Sequence, residues 1–490
     1  MRNLNAALTQ KVRPHHCFYG IIFSMQIVGR NIFSLGLSRI TSGVILFVVQ
    51  TRLASYLGPH GFGKLSVVLA FYTIFLLFVD LGISRFAIKK ISEDKEAVHT
   101  YYGNFLLAQF ITAIFVFALF LIIPRVMNYD TEISRAMIYA GAGLLFTAIS
   151  IPAVAIMQAW QKIHIYAAVI FVESLAKAAW FAYAIWARYS IVFIMEIYLY
   201  VGIFDVIVWY FLTRRIAVPR LTFNSAVLKS MFVFGIPFAM LSGFEMLIAK
   251  IDVIIQKMFL PYAEVGLYSA AYRFLDFLTF LPAIIAISLF PHFSGSDQLD
   301  SPENVAMSER LHRYLLAVGI PLGVGATLLA GPIIMTLFGS GYEGSIMPFR
   351  VLIWSTVITL FYAVPNVVMQ VRSIRKAIVI LGSVTFFNIA ANWALVPRYG
   401  IMASAWLTVL SYILVGVLYI AYSRKFLRFS IFGSAFWPIL ASVIMGAALW
   451  IFREWNLFIL GPLGIVIYFT ILRLAGFLNR EDIKSILARS

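Results

Sequence analysis

A chain of 490 residues that is 62% hydrophobic and only 12% charged is not a water-soluble globular protein, because such domains are about a quarter charged. The composition requires a polytopic membrane protein, and the formal net charge of +17 acquires meaning only when its charges are assigned to sides of a bilayer. The single cysteine, Cys17, excludes an intramolecular disulfide and a thiolate cluster. The seven scattered histidines form no His-x-x-x-His pair, so no metal is expected.

Residues 1–28 carry Arg2, Lys11, Arg13 and Pro14, and their apolar part is shorter than the roughly 20 residues a span needs. They lack a small-residue cleavage motif and read as an N-terminal extension. Met25 stands just before the first full span, so residues 1–24 are expected to be dispensable or interfacial. From Asn31 onward apolar runs alternate with short polar punctuation. Spans are expected near 31–56, 65–88, 101–123, 136–158, 165–187, 190–212, 231–258, 264–290, 314–337, 346–370, 376–396, 401–422, 431–452 and 456–477. The fold class is therefore all-α, with about fourteen transmembrane helices.

Lys and Arg concentrate in cytoplasmic connections, which tests this layout. With the N-terminus inside, inner segments hold 25 of the 38 and outer connections 9. The remaining four, Arg39, Lys177, Lys250 and Arg273, fall within spans. Both termini are expected in the cytoplasm. The longest polar connection, Ser294–Arg310, lies on that side, and Ser301-Pro302-Glu303 predicts the start of a short surface helix. No connection is long enough to fold as a soluble domain, which leaves no room for an ATPase module or an extracytoplasmic catalytic domain.

Two halves echo one another. Phe33-Ser34-Leu35-Gly36-Leu37 opens helix one and Phe232-Val233-Phe234-Gly235-Ile236 opens helix seven, and each following hairpin sets a glycine before its return helix, Gly63 and Gly266. Six spans separate the copies, so the repeats run parallel. The domains read as an extension (1–28), an N-lobe of helices one to six (29–222), a C-lobe of helices seven to twelve (223–427), and two last helices with a cytoplasmic tail (428–490). Transporters made of such halves bind substrate between them near mid-membrane.

Charges inside spans locate the candidate site, since ionisable residues there face a protein interior or wet cavity. The hairpin from Glu245 to Phe293 holds Lys250 and Asp252 on its first arm and Arg273 and Asp276 on its second. Counted from a turn near Pro261, Asp252 and Arg273 differ in depth by roughly 4.5 Å at 1.5 Å rise per residue, which predicts that they are neighbours. Arg273 and Asp276 share a helix face, as do Glu173 and Lys177 at i, i+4. Arg39 has no acid one turn away, so its partner must come from another helix or a ligand. Glu196, Asp205 and Glu245 complete the acids within spans, and a structural ion pair is the rival reading for each charged pair. Trp180, Tyr183, Tyr268 and Tyr272 are candidates for stacking on sugar rings. Gly58 to Lys64 spells G-x-x-x-x-G-K, but Leu65 stands where Ser or Thr must reach Mg²⁺ and no strand precedes it, so it is a turn and not a phosphate loop.

The turn Leu57-Gly58-Pro59 with Phe62-Gly63, the end of helix two at Asp80–Ser84, and the second hairpin's Gly235–Pro237, Lys250–Asp252, Val265–Arg273 and Phe290–Ser294 resemble the polysaccharide flippases of the multidrug/oligosaccharidyl-lipid/polysaccharide exporter superfamily. The resemblance covers about residues 29 to 425. It implies a V-shaped two-lobe fold with a basic central cavity, and transfer of an undecaprenyl-pyrophosphate-linked oligosaccharide from the cytoplasmic to the periplasmic leaflet for O-antigen, capsule or exopolysaccharide. The expected diphosphate ligands are Arg39, Arg273, Lys250 and Lys177. Asp252, Asp276, Glu245 and Glu173 are expected to balance charge or couple transport to H⁺ or Na⁺, with no other cofactor and no catalysis. Expected partners are the lipid-linked oligosaccharide, membrane lipids and a polysaccharide polymerase, with no nucleic acid, and the chain is expected to be a monomer in the bacterial inner membrane. A cation-coupled multidrug exporter of the same fold is the alternative.

Overall fold

The computed structural model describes residues 14–218, 222–296, 298–431, 433 and 435–477, and side chains from Ser38 onward except at 39, 284, 287, 288 and 291. Among these residues the chain is helical, with no strand. The first half comprises α1 (Pro14–Asp80), α2 (Ile83–Glu93), α3 (Val98–Val126), α4 (Thr131–Ala159), α5 (Ile163–Trp186) and α6 (Ile191–Thr213). The second comprises α7 (Ser225–Phe259), α8 (Tyr262–Leu278), α9 (Phe280–Gly295), α10 (Pro302–Leu328), α11 (Ala330–Phe338), α12 (Ile346–Phe361), α13 (Ala363–Arg372) and α14 (Ile374–Ser423). Two more helices follow, α15 (Phe436–Ile451) and α16 (Leu457–Leu474). Ten helices among the described residues are long and apolar enough to cross a membrane, so this is a multi-pass membrane protein.

Those ten do not map one to one onto the fourteen predicted segments, and the differences have local causes. Two predicted hairpins are each one long helix broken at a glycine, α1 at Gly58 (φ 65°, ψ 173°) and α14 at Gly400 (φ 61°, ψ −151°). These left-handed torsions suit a residue without Cβ. Three predicted spans are each split in two. The pieces α8, α10 and α12 end at Leu278, Leu328 and Phe361, four residues before Pro282, Pro332 and Pro365. A proline has no N–H to give the carbonyl four residues back and its ring crowds that carbonyl, so each helix ends on the residue so orphaned. The predicted helix start at Ser301 is present, with the Ser301 hydroxyl accepting from the Asn304 N–H at 3.4 Å. The separate surface helix is not, because nothing between Glu303 and Leu328 interrupts α10.

The packing repeats. In the first half α5 lies on α1, and α4 packs against both α3 and α6; in the second, α14 lies on α7, and α12 packs against both α10 and α14. The halves meet where α1 runs against α7 and α8. An apolar core crosses that seam, with Leu53, Phe62 and Val68 of α1 in one cluster with Val265 and Tyr268 of α8 and Phe349 of α12, and a second joins Ile83 and Phe86 of α2 to Met231 of α7. Outside it, α15 packs on α10 and α16 on α15.

Candidate substrate site between the two halves

Two residues on a helix are separated by about 200° at 3.6 residues per turn, so Lys250 and Asp252 point to opposite sides of α7. Lys250 faces the seam, where its Nζ lies 2.6 Å from Asp276 Oδ1 of α8. Arg273 reaches the other oxygen of the same carboxylate, Nη1 to Oδ2 3.4 Å. The expected pairing of Asp252 with Arg273 is not formed. Depth along the hairpin was the wrong criterion, because facing decides which side chains meet. Asp252 is fully buried toward α14, where it accepts hydrogen bonds from the Tyr268 hydroxyl, from Thr408 Oγ1 at 3.5 Å and from the Val253 N–H at 2.9 Å. Deeper in that packing Asn388 donates to Ser411 at 2.9 Å and Ser404 to Asn392 at 2.7 Å. Asp252 thus belongs to a buried polar layer within the second half.

Lys250, Arg273 and Asp276 line a cavity of about 330 Å³. Its opposite wall is Gln50, Ser66 and Tyr72 of α1 with Tyr198 of α6, so both halves build it. The three charged side chains stay 18%, 15% and 30% exposed, which leaves them within reach of a ligand. Two cations share one carboxylate, so the group carries net positive charge. Lys250 lies over the Tyr272 ring at 4.7 Å and Arg273 over Phe62 at 5.7 Å. Arg273 Nε is buried with no acceptor. A guanidinium offers five donors in a planar fork, so Arg273 has donors to spare for an anionic oxygen.

A second chamber of about 600 Å³ lies within the first half. Glu173 and Lys177 face it as the expected i, i+4 pair, 3.6 Å apart. Asp205 of α6 stands beside Glu173. Tyr72 and Tyr198, with ring centroids 4.7 Å apart, line both this chamber and the central cavity. Lys177 therefore does not join Lys250 and Arg273, since the tyrosine pair stands between the two cavities. Glu245 is exposed and sees the charge of Arg85 across the seam. Arg39 lies outside the residues whose side chains are described. Of the expected stacking aromatics, only Tyr272 lines the central cavity. Trp180 is stacked on Phe193 and donates to its carbonyl at 2.9 Å, and Tyr268 is held by Asp252.

Above and below the central cavity the halves touch backbone to backbone. A Cβ on Gly63 would lie 1.8 Å from the Tyr262 carbonyl oxygen, and one on Gly266 would lie 1.9 Å from that of Pro59. At the other end a Cβ on Gly82 would lie 2.4 Å from the Gly235 oxygen, and one on Gly235 2.8 Å from the Leu81 oxygen. Gly63 and Gly266 of the sequence echo are thus reciprocal contacts across the seam, whereas Gly235 meets Gly82, a residue outside the echo. Sequence reasoning did not single out Tyr72, Tyr198, Gln50 or Ser66. In a chain with 24 tyrosines, nothing local marks two that face a cavity.

The sequence model of the family described as "Polysaccharide biosynthesis protein" matches residues 28–296. The probable flippase AglR of Haloferax volcanii is 29% identical over 179 residues, which is 34% of this chain and 36% of that protein. The match thus spans about a third of that relative. Among solved structures, the lipid II flippase MurJ in an inward closed conformation superposes with a TM-score of 0.70 at 14% identity, covering 93% of this chain and 99% of that one. The Vibrio cholerae MATE transporter VcmN superposes at 0.58 and 13% identity, with 82% and 98% covered. A MOP superfamily transporter from Pyrococcus furiosus gives 0.58 and 14%, with 81% and 95% covered.

Proposed function

From the premise that the chain belongs to the polysaccharide biosynthesis protein family and has the fold shared by MurJ and the MATE transporters, we propose that it is a flippase for an undecaprenyl-pyrophosphate-linked oligosaccharide, serving surface polysaccharide synthesis. The observation that carries this reading is the Lys250–Asp276–Arg273 group in a cavity built by both halves. A diphosphate cannot enter hydrocarbon with its water. Arginine and lysine replace that water with charge-assisted hydrogen bonds, roughly twice as strong as neutral ones. Asp276 holds both cations when the site is empty and yields them when a diphosphate arrives, so the cavity never carries two unpaired charges. The names of AglR and MurJ as flippases support the same reading. Arg39 is a third phosphate ligand, while Lys177, across the Tyr72–Tyr198 pair, balances Glu173.

Transport runs by alternating opening of the two glycine contacts, in a chain with fourteen crossings, lobes at 29–222 and 223–427, and both termini cytoplasmic in the inner membrane. Asp252, enclosed by the Tyr268 and Thr408 donors, is the best-placed residue for coupling to H⁺ or Na⁺ because its two states would change the packing of α7 on α14. Glu245 and Glu173 are secondary candidates. The chain acts as a monomer that delivers its cargo to a polymerase.

The test is recovery of surface glycan in a strain lacking the gene. Arg273→Ala should keep its membrane level, since Lys250 still pairs with Asp276, while export falls about 10- to 100-fold, the worth of one hydrogen bond to a charged group. Arg273→Lys should recover part of it. Full export by Arg273→Ala, or rescue of it by adding Asp276→Asn, would show that Arg273 only balances charge.

A further inference from the structure

The chamber within the first half differs in chemistry from the central cavity. Its charged lining is Asp80, Glu173 and Asp205 against Arg85 and Lys177, so acceptors outnumber cations, the reverse of the Lys250–Arg273 group. Asp205 is only 6% exposed; its carboxyl is hydrogen-bonded to that of Glu173, and its Oδ1 has no partner. A buried carboxylate oxygen left unpaired is costly unless a donor comes to it. Gln158, half-buried on α4, adds an amide that both donates and accepts. Tyr166 and Trp209, with ring centroids 6.1 Å apart, supply an aromatic wall.

A neutral sugar meets these requirements. Its hydroxyls are donors for carboxylates, and its apolar ring face suits an aromatic surface. Its lack of charge suits a chamber whose acids are already matched by Arg85, Lys177 and the proton that Asp205 and Glu173 share. At about 600 Å³ the chamber is in the range of small-molecule sites. The first sugar of a lipid-linked glycan is covalently attached to the diphosphate, and the chamber shares the Tyr72–Tyr198 pair with the cavity that holds Lys250 and Arg273.

We infer that the chamber lined by Asp205, Glu173, Gln158 and Trp209 is a glycan subsite, which binds the neutral sugar next to the diphosphate and sets which glycan is carried. This rests on the diphosphate reading of the central cavity, and the test separates the two. The purified full chain in nanodiscs is titrated with undecaprenyl diphosphate and with undecaprenyl-diphosphate N-acetylglucosamine. The native chain should bind the glycosylated probe on the order of tenfold more tightly, as for one charged hydrogen bond. Asp205→Asn should remove most of that ratio while leaving the affinity for the bare diphosphate unchanged. Gln158→Ala reads the same ratio if the buried Asp205→Asn does not fold. Arg273→Ala should weaken both probes alike; if it weakens neither, the diphosphate reading fails while the ratio still judges the chamber. Equal affinity of the native chain for both probes would overturn the subsite, as would Asp205→Asn or Gln158→Ala weakening both probes equally. Binding of tetraphenylphosphonium that Asp205→Asn abolishes, with the sugar ratio untouched, would assign the chamber to organic cations instead.

Discussion

An alanine at position 63 places a methyl carbon 1.8 Å from the Tyr262 carbonyl oxygen, where side-chain carbons essentially never come closer than 3.0 Å. The two halves must therefore part by about 1.2 Å at this point, and the atom in the way is backbone, which cannot swing aside as a side chain can. Overpacking of this kind costs about 1–3 kcal/mol. Because the contact joins the halves, the molecule can escape that cost by opening there instead of unfolding. A bias of 1–3 kcal/mol shifts a two-state population roughly 5- to 150-fold. Gly63→Ala should thus favour states open at the end that the charge layout puts outside, and Gly266→Ala, at 1.9 Å, should do the same. Gly235→Ala, whose Cβ lies 2.8 Å from the Leu81 oxygen at the opposite end, should favour inward opening more weakly. The assay places Ser269→Cys in the cavity wall of a Cys17→Ser chain and measures its labelling by a membrane-impermeant maleimide added to intact cells. Labelling should accelerate with Gly63→Ala and Gly266→Ala and slow with Gly235→Ala. Unchanged rates in all three, with normal membrane levels, would refute the view that these glycines are where the halves separate.

Asp252→Asn preserves volume but removes the charge that Tyr268 and Thr408 donate to. It should still bind the diphosphate probe in nanodiscs yet lose the response of glycolipid translocation to an imposed Na⁺ or H⁺ gradient in vesicles. An undiminished gradient response would exclude Asp252 from coupling. For topology, a reporter active only in the periplasm should be silent when fused after Ser490 and active when inserted near Gly341. The reverse pattern would invert the layout.

Composition and the spacing of apolar runs sufficed for the membrane class and the helical fold, because lipid permits few ways to satisfy a backbone. Helix breaks were equally local. Gly58, Gly400 and the prolines at 282, 332 and 365 act through torsion and a missing N–H, but nothing in the chain separates those prolines from Pro152, Pro237 and Pro321, which lie inside unbroken helices. The i, i+4 pair Glu173–Lys177 and the i, i+3 pair Arg273–Asp276 were legible for the same reason, since one helix fixes both partners. Everything that depended on the rotation of one helix against another was not. Sequence depth pointed Asp252 at Arg273, whereas the facing of α7 gave Lys250 to Asp276 and turned Asp252 toward Tyr268 and Thr408. Lys177 has the charge of a phosphate ligand but lies beyond the Tyr72–Tyr198 pair, in a chamber with more acids than bases. The echo of Gly63 and Gly266 was visible as a repeat, yet its meaning as two backbones in mutual contact exists only where the halves meet, because a missing Cβ matters only to whatever occupies its place.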